Sequence, residues 1–366
     1  MKNIVDQVIE DAISFKRVLS DNETVKLLAQ SNEPIVLWGH GLYAEYIYKI
    51  LNKGGIRVDA VFSDGVLGNT AFHGIPVSAF EDIQRRYDSF IIVRGNGNLM
   101  REAEYKQKKG VTEVYSFFDL MGFGWHLSAS VLKEMAPSLD LLYRSLSDEI
   151  SKKSFFAYLK SRYVGNWIFI QDYYCADMYF PEFIHLSANE VFIDCGAYNG
   201  DTFSSFYKRV STWDKYIAFE PAAEPLQTFK NSISNTVLHG EIQVYDLGLW
   251  SRQTKLTFIE ENDISRIVEG SGEIPGTEVS VTTIDSTCKG IDVSFIKMDL
   301  EGSEMEALRG ASEVIHNNKP KLAISLYHKR LHLVEIFEFL KHLNPAYQFY
   351  FRIHTKVGSD AVLYAI

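Results

Sequence analysis

Val191-Phe192-Ile193-Asp194-Cys195-Gly196-Ala197-Tyr198-Asn199-Gly200-Asp201-Thr202 is the stretch whose reading decides the fold. An apolar run ends in an acid, a glycine-bearing turn follows, and the next residues open a helix. Glycine lets the backbone pass close to a ligand, and a helix start offers free N–H groups. The spacing is Gly-x-x-x-Gly, whereas a dinucleotide pyrophosphate prefers Gly-x-Gly-x-x-Gly. Asp194 would also repel a phosphate and suits a ligand that bears an ammonium group.

Outward from this junction, apolar runs recur at 216–219, 241–245, 294–298, 321–327, 347–353 and 361–366. With 191–194 they make seven candidate strands, and helices fit between most of them. This alternation predicts a parallel sheet with crossover helices. The last two runs, separated by the short turn Lys356–Asp360, predict an antiparallel hairpin. After Gly302, Ser303 and Glu306 have capping-box spacing ahead of a helix.

The region before it divides in two. Residues 1–118 open with a helical pattern from Ile4 to Leu19, then alternate strands at 35–38, 58–62 and 90–93 with a helix near 44–51. Residues 119–186 show no alternation and are rich in aromatics, among them Tyr158, Tyr163, Trp167 and Tyr174. They read as a helical connector, serving as a linker or as a lid. The expected domains are therefore 1–118, 119–186 and 187–366.

Composition bounds the function. The chain has 366 residues, 37 Lys and Arg against 47 Asp and Glu, and a net charge of −10. Such a balance gives no global attraction to nucleic acid or an anionic membrane. Cys175, Cys195 and Cys288 are odd in number and far apart, which suits a reducing compartment. No run approaches a membrane span and the N-terminus lacks an apolar signal core, so the expected location is cytoplasmic.

Four acids and a histidine mark the chemistry. Glu220 ends the second strand of the 187–366 region, where a carboxylate is placed to hydrogen-bond two ribose hydroxyls. Asp299 and Glu301, in Lys297-Met298-Asp299-Leu300-Glu301-Gly302, end the fourth. Asp194 ends the first, and His328 the fifth. All sit at predicted carboxyl ends, where open parallel sheets bind ligands. A turn acid, a ribose acid and no phosphate loop point to a nucleoside with an amino-acid tail, S-adenosylmethionine.

These residues resemble a known family. The ordered set Asp148-Glu-Ile-Ser151, Tyr179-Phe180, Phe192–Thr202, Phe219-Glu-Pro221, Gly248-Leu-Trp250, Ile296–Glu304, Leu308–Ala311, Ile324–His328 and Val362–Tyr364 is similar to that of the FkbM-type, class I S-adenosylmethionine-dependent methyltransferases, over about 148–366. The resemblance implies an α/β fold with a seven-stranded sheet whose last strand is antiparallel, and methyl transfer to a hydroxyl of a sugar or other small molecule. It implies cofactor contacts from Asp194, Gly196, Ala197, Asn199, Gly200, Asp201 and Thr202 in the first turn. Glu220 and Pro221 would hold the ribose, and Asp246, Gly248 and Leu249 would flank the adenine. Asp299 would face the reaction centre.

A hydroxyl acceptor benefits from a base, and His328 is the first candidate because imidazole titrates near neutrality. Asp299, Glu301 and His328 are thus the candidate catalytic residues. The same three could instead hold a divalent cation. Glu304 reads as a helix-start acid, and His354 as a lesser substrate contact.

In the first region Gly39-His40-Gly41-Leu42-Tyr43-Ala44 follows a strand and opens a helix, with Asp64 after the next strand. That is a Rossmann-like turn suited to a pyrophosphate. With Gly74-Ile-Pro76 and Phe90–Asn96 it resembles the small N-terminal domains of nucleotide-sugar acyltransferases, over about 33–117. The resemblance implies a nucleotide-sugar site at Gly39, Gly41 and Asp64. The other reading is a scaffold used for stability or homodimerisation. Two functions follow: an O-methyltransferase on a sugar or glycan precursor, or a catalytically degenerate scaffold that binds S-adenosylmethionine or a nucleotide-sugar.

Overall fold

The structure, a computed structural model, describes residues 2–13, 21–65, 70–95, 101–118, 125–261, 264–268, 276–356 and 360–366. Leu19 at the end of the first helical pattern, Asn96, and 357–359 of the final turn lie outside them. The chain forms two compact units. One comprises 1–134 with 156–172, the other 135–155 with 173–366. The expected connector 119–186 is therefore not a body of its own. Its helix Glu149–Val164 gives its first residues to one unit and the rest to the other. Tyr158 and Trp167 are buried, whereas Tyr174 is exposed. Trp167 stacks on Phe118 at 4.3 Å and meets Trp125 edge-on at 5.6 Å, all within the first unit.

The first unit holds a six-stranded sheet built from β1 (Ile35–Trp38), β2 (Ala60–Phe62), β3 (Ala71–Phe72), β4 (Ile75–Ser78), β5 (Phe90–Arg94) and β6 (Val111–Ser116), in the order β3-β4-β2-β1-β5-β6. Only the β3–β4 pair is antiparallel. Ile35 and Leu37 enter one core and Val36 and Trp38 the other. A strand buried on both faces reads as an unbroken apolar run, which is why β1 and β5 are legible in the sequence.

The second unit holds two sheets. The larger is built from β7 (Val191–Cys195), β8 (Lys215–Phe219), β9 (Glu241–Tyr245), β14 (Phe295–Met298), β15 (Lys321–Ser325), β16 (Phe349–Ile353) and β17 (Ala361–Ala365), in the order β16-β17-β15-β14-β7-β8-β9. These are the seven expected strands, and β17 runs antiparallel to both its neighbours. The order reverses between β7 and β14, where ligands of open α/β sheets bind. One face packs Phe192, Phe203, Phe206, Trp213, Tyr216, Phe229 and Phe295 into a single core.

The smaller sheet was not expected. It consists of β10 (Gly248–Leu249), β11 (Thr254–Glu261), β12 (Ile264–Val268) and β13 (Thr277–Thr282), in the order β10-β13-β11-β12. The capping box also differs. Ser303 precedes the helix Glu304–Arg309 but makes no side-chain cap bond. Among the described residues no helix is long and apolar enough to cross a membrane. The three cysteines are unpaired.

Candidate functional site

At the carboxyl ends of β7, β8 and β14 lies a cavity of about 710 Å³. The first turn shapes its floor. Gly196 has φ 82°, and a Cβ there would sit 2.0 Å from the Asp299 carbonyl oxygen, so the tips of β7 and β14 meet backbone to backbone. Gly200, at φ 88°, starts the helix Asp201–Tyr207, and a Cβ there would lie 2.2 Å from the Phe229 ring. Only glycine fits either place. Five non-glycine residues described here adopt left-handed backbone, and Tyr179, Tyr198 and Glu301 of these line this one cavity. Such conformations cost about 1–3 kcal/mol each and gather at functional sites.

Asp194 is placed otherwise than expected. It is fully buried beneath the cavity, and its carboxylate meets the Lys297 ammonium at 3.0 Å and accepts from the Tyr216 hydroxyl at 2.5 Å. The parallel register puts Asp194 directly opposite Lys297 on β14. Lys297 also donates to the Gly196 carbonyl at 2.6 Å. Burial disfavours its charge, but Asp194 and Asp299 hold the ammonium above its ordinary value. Lys297 therefore takes the partner that the sequence reading reserved for a ligand's ammonium group, and is itself a cavity residue.

Glu220 lines the cavity at 7 % exposure. One carboxylate oxygen accepts from the Tyr198 N–H at 2.9 Å, the other from the Ala222 N–H at 2.8 Å. Burial pushes its carboxyl up, and the two N–H groups pull it back. Each oxygen keeps a second lone pair for a ligand hydroxyl. Gly196, Asp201, Thr202, Pro221, Gly248 and Leu249 also line the cavity. Ala197 is buried, Asn199 and Asp246 are exposed, and none of these is among the lining residues. Leu247 stands where Asp246 was expected, with Phe258 and Ile267 of the second sheet beside it.

Asp299 accepts from the Tyr179 hydroxyl at 2.7 Å and from the Tyr327 hydroxyl at 3.2 Å. His328 lies behind it, buried, with Nε2 at 3.5 Å from Asp299 and 3.3 Å from Glu301, and Nδ1 at 2.7 Å from Glu304. Burial alone would lower the His328 pKa, yet Glu304 and Glu301 outweigh it and raise it well above 6.5. Glu304 is held well below 4.5 by His328 and His332, despite its own burial. The carboxylates thus favour the protonated ring over the neutral base expected from its residue type. Asp299, Glu304 and His328 bring ligand atoms within 4.8 Å of one another. Both ring nitrogens face carboxylates, so a protonated ring would balance part of their charge. Glu304 also accepts from the Leu300 and Gly302 N–H groups, at 2.9 and 3.3 Å, which locks the turn.

The signals for Lys297 and Tyr179 were present in the motifs but carried no role. Tyr198 lay in the first motif, also without a role, and Phe258 and Ile267 had no signal. His354, the lesser candidate, is buried and bonds Cys175 and Tyr364. In the first unit Gly39 (φ 116°) follows β1 and Gly41 starts the helix Leu42–Lys53. Asp64 is engaged internally. It accepts from the Trp38 indole at 3.1 Å and from Tyr105, and pairs with Arg101 at 2.8 Å.

A doubly wound sheet with a glycine turn after its first strand and a carboxylate at the tip of its second defines an open α/β domain, a class that binds ligands at its strand tips. Residues 194–349 match the family model of the methyltransferase FkbM domain, and the chain carries such a domain over that stretch. The whole chain is similar to the crystal structure of the methyltransferase FkbM from Methylobacillus flagellatus, with TM-score 0.78 and 20 % identity over 99 % of this chain and 98 % of that one. Looser likenesses include an rRNA methylase from Streptococcus thermophilus (TM-score 0.32, 13 % identity, 49 % of this chain and 87 % of that one). Another is Aeropyrum pernix fibrillarin in complex with S-adenosyl-L-methionine (TM-score 0.31, 10 % identity, 52 % and 73 %). Among curated proteins none matches the chain.

Proposed function

We propose that the second unit is a class I methyltransferase that binds S-adenosylmethionine and methylates a hydroxyl of a sugar or glycan precursor. The observation that carries this is the chemistry of the cavity wall: Asp201, Glu220, Asp299 and Glu301 face it, while its one ammonium, Lys297, is matched by Asp194. Such a wall suits a ligand with positive charge and ribose hydroxyls, and opposes a pyrophosphate.

When bound, the donor supplies a methyl group on a positively charged sulfur. The residues of the chain do the rest. Glu220, fixed by two backbone N–H groups, takes the ribose hydroxyls. Asp299 receives the proton that the acceptor hydroxyl gives up as its oxygen takes the methyl group. Tyr179 and Tyr327 hold the Asp299 carboxylate in one orientation. His328 keeps Glu301 and Glu304 compensated, so the carboxylates can crowd one edge.

A thermal-shift panel tests the reading, because a ligand of the native state raises its stability by mass action. S-adenosylmethionine and S-adenosylhomocysteine should raise Tm, and NADH should not. No response to either adenosyl compound at millimolar concentration would leave the scaffold reading in its place.

A further inference from the structure

We propose that the smaller sheet supplies the ring-binding wall of the cavity, with Phe258 and Ile267 packing against a purine. The inference rests on the reading of the cavity as a site for an adenosine-bearing donor, and it assigns the nucleoside end to an element outside the seven-stranded sheet.

Phe258 on β11 and Ile267 on β12 are direct antiparallel partners, so their side chains stand next to each other on one face. Leu256 and Val279 form the neighbouring cross-strand pair on that face. Toward Trp250, the face closes into a core of Trp250, Leu256 and Val281. Ile267 packs against that core and, with Phe258, also lines the cavity. The wall is fixed in place at Gly248, where a Cβ would lie 2.4 Å from the Ile267 Cδ1 and 3.0 Å from the Val281 Cγ1. Gly248 pairs with Val281 on β13, so the chain leaving β9 passes directly into the smaller sheet. Leu247 and Leu249 line the same cavity and add apolar surface. A flat, uncharged heteroaromatic ring matches such a surface; a phosphate or an open polyol does not.

Calorimetric titration of the full-length protein with S-adenosylhomocysteine and with 5′-methylthioadenosine, which lacks the amino-acid tail, tests this. The wild type should bind both. Phe258→Ala should weaken both by the same factor, about tenfold or more. Phe258→Leu should fall between, and Ile267→Ala should weaken both by about threefold or more. Ligand-free melting identifies variants that fold, and Ile267→Ala decides the matter if Phe258→Ala does not. Unchanged binding in the folded variants, or weakening confined to S-adenosylhomocysteine, would overturn the wall. Failure of the wild type to bind either probe would instead overturn the donor reading beneath it.

Discussion

Lys297 keeps its charge at 2 % exposure because β14 and β7 pair in the register that sets it opposite Asp194. A buried ion pair gives little net stability, but removing one partner strands the other in a low-dielectric core. Lys297→Met should therefore destabilise the fold by about 3–5 kcal/mol, and adding Asp194→Asn should recover much of that loss. Urea unfolding of the two variants checks this; equal losses would mean the pair is not coupled. His328 follows a different logic. Its folded pKa lies above the unfolded value, so its contribution is complete below about pH 6.5 and disappears as pH rises through the folded value. Glu304, depressed below 4.5, contributes above that pH and loses its contribution as pH falls through its folded value. Both contributions are complete together between about pH 4.5 and 6.5. Nitrogen NMR of His328 at pH 7.5 should show both ring nitrogens protonated, and a neutral tautomer there would restore it as a candidate base.

At the scale of elements, the terminal strands hold the segment that carries Tyr179. Cys175 donates its N–H to Ile353 at 2.8 Å, and the Tyr179 N–H reaches the Tyr364 hydroxyl at 3.1 Å. His354 links the two, with Nδ1 at 2.8 Å from the Cys175 carbonyl and Nε2 at 2.7 Å from the Tyr364 hydroxyl. Burial lowers its pKa from 6.5 to about 4. A folded value below the unfolded one means stability that is present above pH 6.5 and is lost as pH falls toward 4. At about 1.4 kcal/mol per pH unit, that is on the order of 3 kcal/mol. Chemical unfolding across pH 7 to 4 should show this loss, and His354→Asn should flatten it; an unchanged slope would place the acid sensitivity elsewhere. The strands in question were legible because each is a short, mostly apolar run, and Glu220 and Asp299 were legible because they directly follow such runs. The smaller sheet was not. Leu256 and Phe258, or Val279 and Val281, alternate with Lys255, Thr257, Glu278 and Ser280, a pattern that an exposed loop also shows. Partner choice was equally hidden. Asp194 and Lys297 are far apart in sequence, and only the β7–β14 register makes them neighbours.

Over the whole molecule the excess of 47 acids over 37 bases leaves a net charge of −10, and part of that excess has a structural address. Asp201, Glu220, Asp299 and Glu301 line one cavity, whose ammonium is matched by Asp194. The field at its mouth therefore favours cations. The proposed donor carries a sulfonium that its demethylated product has lost, so the two ligands differ by one positive charge at nearly constant shape. Mobile ions screen that difference, since the Debye length is about 10 Å at 0.1 M salt and about 3 Å at 1 M. Raising salt from about 0.05 to about 0.5 M should weaken S-adenosylmethionine several-fold while changing S-adenosylhomocysteine by less than about twofold. Titrations of both ligands at the two salt concentrations measure this directly. Equal salt dependence would mean that the cavity carboxylates act through local hydrogen bonds alone and that the acidic surplus has no part in selecting the charged form of the donor.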